Sequence, residues 1–154
     1  MPITHNTFVI ERSYSAAPEK VFAAFADPVK KRRWFAEGEA HDVEVFEMDF
    51  RVGGIESARY RFKPGTPIQG MTITNVSAYQ DIVPNHRVVT TSTMSLGEKP
   101  MSVMLATVEL RQTEKGTDLI FTHQAVFLEA ADGPEMRKHG WEKLFDKLAK
   151  ELAG

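Results

Sequence analysis

The sequence of 154 residues contains no cysteine. Disulfide bonds and thiolate metal sites are therefore excluded, and the chain suits a reducing compartment. A surplus of positive charge is also missing, since 19 Lys and Arg stand against 21 Asp and Glu, for a formal net charge of −2. Because phosphate binding requires a large basic surplus, this balance argues against nucleic acid as the main partner.

Long apolar runs are missing as well. No segment approaches the ~20 apolar residues that a helix needs to cross a bilayer, so no membrane span is predicted. Residues 1–6 (MPITHN) lack a basic stretch followed by an apolar one, so we expect no secretory signal. The sequence predicts a cytoplasmic protein.

Strong catalytic signatures are absent too. The chain has no Gly-x-Ser-x-Gly elbow, no phosphate-binding glycine loop and no His-Glu-x-x-His pair. The pair Gly53-Gly54 indicates a bulge or turn rather than a phosphate site. We predict no cofactor and no metal site.

The composition is that of an ordinary globular protein, with 42% hydrophobic and 26% charged residues. The length suits one domain, and no repeat, linker or low-complexity tract divides it. We therefore expect a single domain over residues 1–154.

The last stretch of the chain predicts a long amphipathic helix over residues 133–154. Asp132 is predicted to cap it, Pro134 occupies a first-turn position that needs no N–H, and Glu135 places an acid in the first turn. At 100° per residue, one arc of the helix collects a mainly apolar stripe: Arg137, Trp141, Leu144, Phe145, Leu148 and Leu152. Such a stripe must pack on another element.

Upstream residues predict the sheet that receives this stripe. A strand over 7–13 precedes two short helices, which start near Pro18 and Pro28. Further strands are predicted from β-forming composition and alternation, over 42–46, 48–52, 57–63, 71–79, 87–95, 102–113 and 117–127. Short connections between them indicate an antiparallel meander of about seven strands that curls around the terminal helix.

Several motifs carry a family resemblance that covers essentially the whole chain. They are residues 16–28 (AAPEKVFAAFADP), 33–35 (RWF), 51–54 (RVGG), 81–89 (DIVPNHRVV), 116–119 (GTDL) and 140–144 (GWEKL). The chain resembles the SRPBCC (START-like) superfamily, in the branch named for the activator of the heat-shock chaperone ATPase (AHSA-like). The resemblance implies an α+β helix-grip fold, with two short helices after strand one and a long C-terminal helix across the concave face of the sheet.

The resemblance also implies an apolar cavity between sheet and helix, which relatives use for lipids, sterols, polyketides or other hydrophobic molecules. Aromatic and flexible methionine side chains suit such a wall. Our candidates are Trp34, Phe35, Tyr60, Met71, Met94, Met104, Phe121, Trp141 and Phe145. The alternative is that these side chains simply fill the core.

His123 is the candidate catalytic residue. Alternation with Leu119 and Phe121 turns it inward, and near Arg137 it could orient a carboxylate or carbonyl or act as a general base. The alternative is a histidine at the end of a strand, bonded to backbone or water. Many AHSA-like relatives carry a glutamate here, so a role of that acid does not transfer to this chain.

Arg137 is the candidate polar ligand contact. It lies one helical turn before Trp141 on the apolar stripe, where a guanidinium could pair with an anionic head group. Alternatively, it pairs with a neighbouring acid such as Asp132, or its head reaches water.

Two charged segments can be interpreted either as binding sites or as solvated surface segments. Glu37, Glu39, His41, Asp42 and Glu44 could suggest a metal site, but no loop signature accompanies them, and a solvated loop is predicted. The basic run over 30–33 is predicted as a solvated helix end, with nucleic acid or membrane contact as the alternative.

The leading hypothesis is a binding protein for a small hydrophobic molecule, with a polar or anionic end. Two alternatives stay open: an enzyme of cyclase, dehydratase or hydrolase type using the same cavity, and a partner-binding module that regulates a chaperone or another protein. A homodimer is a further expectation from the fold resemblance.

Overall fold

One antiparallel sheet of seven strands forms the framework of the chain, in a computed structural model that describes residues 3–154. Its strand order is β1-β7-β6-β5-β4-β3-β2, so only β1 departs from chain order and closes against β7. The strands are β1 (Thr4–Tyr14), β2 (His41–Met48), β3 (Ile55–Phe62), β4 (Thr72–Val83), β5 (Arg87–Leu96), β6 (Lys99–Thr113) and β7 (Gly116–Phe127).

Two short helices follow β1, as predicted: α1 (Pro18–Ala26) and α2 (Pro28–Lys31). The carboxylate of Asp27 caps α2 by accepting hydrogen bonds from the backbone of Val29 and Lys30, at 2.9 and 3.3 Å. The chain then continues as a π-helical turn over Arg32–Ala36. This turn buries the Trp34 ring, whose Nε1 donates to the Ala24 carbonyl at 2.8 Å and ties the turn to α1.

The terminal helix α3 (Pro134–Ala153) lies across the concave face of the curled sheet. Its predicted stripe is the inward face, since Phe145, Leu148 and Leu152 are buried in the main core with residues of β1, β6 and β7. The hydroxyl of Tyr14 donates to the Phe145 carbonyl at 3.1 Å and links β1 to this helix. The predicted α+β helix-grip fold is confirmed.

The predicted strand over 48–52 is wrong. Pairing of β2 with β3 stops at Met48, after which the chain turns, with the Gly54 amide donating to the Arg51 carbonyl at 2.8 Å. Gly53 takes a positive φ of 86°, and its amide reaches the Tyr79 carbonyl at 2.8 Å. The β-forming residues of this segment therefore form part of a turn, as the pair Gly53-Gly54 indicated.

The predicted cap of α3 is also wrong. Gly133, with a φ of 92°, is the N-cap residue, and no side chain caps the helix. The carboxylate of Asp132 binds Arg137 instead, because a buried guanidinium is the stronger partner for it. No helix in the described part of the chain combines the length and apolar character required to cross a bilayer.

Candidate functional site

A cavity of about 650 Å³ lies between the sheet and the helices. Strands β3 to β6 line it with the inward side chains of their alternation, and the π-helical turn and α3 close it with aromatic rings. Residues 66–68, which connect β3 and β4, also contribute. The lining is mostly apolar, with polar side chains from α2, α3 and strands β3 to β5 among it.

Eight of the eleven predicted ligand-binding residues line this cavity. They are Trp34, Phe35, Tyr60, Met94, Met104, Phe121, Arg137 and Trp141. Phe121 and Trp141 are in ring contact, with centroids 4.5 Å apart, and join the sheet to α3 beside the cavity.

The other three predicted residues lie elsewhere. Met71 precedes β4 and is 43% exposed, because the turn before it carries the chain away from the sheet interior. Phe145 is fully buried in the main core, where it packs on Trp34 and Phe121. His123 is inside, as alternation required, but it is enclosed by core side chains rather than by the cavity.

Arg137 is buried on the cavity wall and is already paired. Its Nη2 and Nε donate to the two carboxylate oxygens of Asp132 at 2.7 and 3.0 Å. Its Nη1 donates to Ser102 Oγ at 3.0 Å, and the guanidinium lies 5.1 Å from the centre of the Phe127 ring. The alternative interpretation, a pair with Asp132, therefore describes this side chain, and its charge is compensated within the protein.

His123 lies between aromatic rings. Its ring stacks on Phe8 at 4.4 Å with an interplanar angle of 10°, and Phe127 lies 6.2 Å away. Among the described residues neither ring nitrogen has a hydrogen-bond partner, so the predicted alternative of a frayed, backbone-bonded histidine does not apply. Burial first, and the nearby Arg137 charge second, lower the pKa of His123 from 6.5 to about 4.

A polar cluster that the sequence did not predict lines the cavity: Lys31, Glu56 and Tyr79, here named the buried triad. Glu56 Oε1 accepts a hydrogen bond from Lys31 Nζ at 2.6 Å and another from Tyr79 Oη at 2.5 Å. Lys31 and Glu56 are only 9% and 5% exposed, and Lys31 Nζ lies 4.7 Å from the centre of the Phe35 ring. Burial, followed by Glu56, raises the pKa of Tyr79 well above its usual range, so this hydroxyl remains a donor.

The triad corrects the prediction for the basic run. Lys31 leaves the solvated face of its helix because Glu56 offers a buried countercharge and Phe35 a ring face. Alternation could have revealed Glu56, since counting back in twos from Tyr60 and Ala58 reaches it on the inward face of β3. Nothing in the local pattern identified Lys31 as its partner.

Polar side chains also follow β4 along the cavity floor. Asn75, Ser77 and Tyr79 occupy alternate positions of that strand, and all three line the cavity. Ser77 and Ser92 share a hydrogen bond of 2.6 Å between their hydroxyls. Asn75 Oδ1 is buried without a hydrogen-bond partner among the described residues.

Methionines line the cavity away from the triad. Met94 pairs with Asn75 across β4 and β5, whereas Tyr79 pairs with Thr90 further along the same two strands. Met104 contacts Arg137, with Nη1 and Sδ 3.9 Å apart. Met101 and Met136 complete this methionine cluster.

The acidic segment before β3 is dispersed. His41 Nε2 lies 2.7 Å from the Ala36 carbonyl oxygen, and Glu44 on β2 is bonded to Arg59 and Arg61 at 3.1 and 2.7 Å. The predicted loop holds for residues 37–40 only, since β2 begins at His41. No three His, Asp or Glu side chains within residues 3–154 converge as a metal-binding group.

Comparison with known families shows the family of this chain. Residues 15–153 match the family described as "Activator of Hsp90 ATPase homolog 1-like protein". The chain belongs to this family. The predicted AHSA-like branch is thereby confirmed. No curated protein matches the chain.

Solved structures share the fold over almost the full length of the chain. An uncharacterised protein from Rhizobium leguminosarum is 34% identical, with 99% of this chain and 97% of that chain covered and a TM-score of 0.91. Protein Mll3558 from Rhizobium loti is 38% identical, with coverage of 98% and 99% and a TM-score of 0.85. An AHSA1-like protein from Aeromonas hydrophila, 18% identical with coverage of 96% and 92%, has the same fold at a TM-score of 0.69.

Proposed function

We propose that this protein binds a small, largely apolar molecule in the cavity between the sheet and α3. The observation that carries the proposal is the cavity itself, about 650 Å³ with a mostly apolar lining. Sites for small molecules are typically concave, apolar and some 300–1,000 Å³ in volume, with a few polar groups that orient the ligand. The buried triad and the polar side chains of β4 are such groups.

The charges around the cavity refine the expected ligand. Lys31 is compensated by Glu56, and Arg137 by Asp132, so each cation on the wall has its own anion. An anionic ligand would lose its hydration without gaining a free countercharge. Of the two ligand ends that the sequence analysis allowed, polar or anionic, we therefore propose a neutral polar one.

Mass spectrometry under native conditions tests the proposal on protein purified from its own host. The expected result is a co-purifying small molecule on the wild-type chain. The variant Ala106→Trp, which fills the cavity from the middle of β6, should lose it. Leu105→Trp is the matched control, because this neighbouring side chain is 37% exposed and outside the cavity lining.

Two outcomes would contradict the proposal. One is that no small molecule accompanies any of the three proteins, although a folded state is confirmed for each by circular dichroism. The other is that the same compound remains on Ala106→Trp at the wild-type level, which would place it outside the cavity.

The remaining expectations stay predictions. The enzyme alternative requires an acid–base pair inside the cavity, and His123, its expected member, does not line the cavity. The family description names an activator of Hsp90 ATPase, and the partner-binding alternative rests on that description alone. A single domain, a cytoplasmic location and a homodimer likewise rest on the sequence.

A further inference from the structure

We infer that the buried triad anchors a neutral hydroxyl group, from an alcohol or a phenol, at one end of the ligand. This inference rests on the proposed function and specifies the chemistry of the same cavity. It follows from the hydrogen-bonding capacity that the triad leaves unused.

The unused capacity can be counted atom by atom. Glu56 Oε1 already accepts two hydrogen bonds, from Lys31 and Tyr79, whereas Oε2 accepts none from any residue within 3–154. Lys31 Nζ carries three hydrogens and donates one of them to Glu56. The triad therefore offers one carboxylate acceptor next to a free ammonium donor, and both residues line the cavity.

A hydroxyl group uses both through a single oxygen atom. Its hydrogen can be donated to Glu56 Oε2, and its oxygen can accept from Lys31 Nζ. An ether oxygen accepts but cannot donate, so Oε2 would be desolvated without a partner. A carboxylate only accepts and would meet the negative charge of Glu56, and an ammonium would meet the positive charge of Lys31.

Asn75 supports the same class of ligand independently. Its Oδ1 is buried without a partner among residues 3–154 and belongs to a side chain that lines the cavity. Asn75 and Tyr79 are four residues apart on one face of β4, which separates them by about 13 Å along the strand. A second hydroxyl or N–H donor at that distance from the anchored end would satisfy this oxygen.

Three probes with one apolar core test the inference: biphenyl-4-ol, 4-methoxybiphenyl and biphenyl-4-carboxylate. Their dissociation constants are measured by titration calorimetry at about pH 7, where the phenol is neutral. We expect the phenol to bind at least about tenfold more tightly than the ether and the carboxylate. The near-isosteric double variant Lys31→Met/Glu56→Gln should bind the phenol and the ether within about twofold of each other.

The matched control removes an ion pair from the outside of the molecule. Arg87→Met/Asp81→Asn deletes a pair of exposed side chains 2.6 Å apart, neither of which lines the cavity. This variant should keep the full preference for the phenol. The single variant Glu56→Gln provides a second test, because it leaves Lys31 uncompensated and should raise the affinity for the carboxylate at least tenfold relative to the phenol.

The outcomes separate this inference from the proposed function. If the three probes bind the wild type equally, or if the preference survives in the double variant, the inference is overturned while cavity binding stands. If the carboxylate binds the wild type best, the neutral anchor is wrong. If none of the probes binds, the inference fails, and native mass spectrometry decides the proposed function separately.

Discussion

Arg137 and Asp132 form a two-point ion pair on the cavity wall, with donor–acceptor distances of 2.7 and 3.0 Å. The arginine belongs to the first turns of α3 and the aspartate to the segment before it, so the pair ties the start of the helix to the residues that precede it. Because the arginine is only 5% exposed, its buried charge needs the countercharge of Asp132.

Removing the acid should change both stability and ligand preference. In Asp132→Asn the guanidinium loses its countercharge, so we expect the free energy of unfolding to fall by about 1–3 kcal/mol. The same variant should bind biphenyl-4-carboxylate about tenfold more tightly than the wild type. Urea denaturation and titration calorimetry measure the two effects. Glu135→Gln, which removes an exposed acid near the same helix end, should show neither.

The pH dependence of stability should carry a contribution from His123. Its pKa is about 4 in the folded chain and 6.5 in an ordinary environment, so on acidification the unfolded chain is protonated first. The stability that His123 provides is therefore complete above pH 6.5 and is lost as the pH falls through 4. The difference corresponds to roughly 3 kcal/mol. Denaturation curves at pH 7 and pH 4 should show it.

A comparison of variants isolates this contribution. His123→Leu keeps a buried apolar side chain but cannot take up a proton, so its stability should fall less between pH 7 and pH 4 than that of the wild type. His139→Gln removes an exposed histidine and should behave like the wild type. Equal pH dependence of His123→Leu and the wild type would show that His123 is protonated as readily in the folded chain as in the unfolded one.

The ion pair of the triad should be strongly coupled in stability. Lys31→Met leaves the buried carboxylate of Glu56 without a countercharge, and we expect a loss of about 3–5 kcal/mol. Adding Glu56→Gln removes that charge and should recover at least half of the loss. A double-mutant cycle from urea denaturation gives the coupling, and additive single effects would contradict the pairing.

Two glycines should respond differently to alanine. A Cβ on Gly54 would lie 2.0 Å from the Asp49 carbonyl oxygen, so Gly54→Ala must displace backbone and should lower the free energy of unfolding by about 3 kcal/mol. A Cβ on Gly97 meets nothing within 4 Å, and only its positive φ of 57° opposes the change. Gly97→Ala should therefore lower the free energy of unfolding by only about 1 kcal/mol. Equal losses in thermal or urea denaturation would refute the clash.

Periodic patterns predicted the framework well because packing and periodicity agree there. The inward face of α3, from Phe145 to Leu152, follows directly from helical spacing, and the alternation around Ala58 and Tyr60 placed β3 correctly. The segment 48–52 failed because β-forming residues form a strand only where a partner strand continues, and pairing with β3 ends at Met48.

The buried triad was harder to predict because its members come from elements far apart in the chain. Lys31 on α2 and Glu56 on β3 are 25 positions apart, and only the tertiary fold brings them together. Arg137 lies on the cavity wall, five positions from Asp132, and the sequence offered a ligand contact and this ion pair without deciding between them.

The methionine cluster should make one end of the cavity more tolerant of changes in ligand shape than the end at the triad. Unbranched thioether side chains can change rotamer to fit irregular shapes, whereas the triad is held by short hydrogen bonds. In a homologous series of ligands that share a head group, lengthening or branching the tail should therefore not abolish binding. The cavity therefore selects ligands by the head group that meets the triad and accepts a range of tails at the methionine cluster.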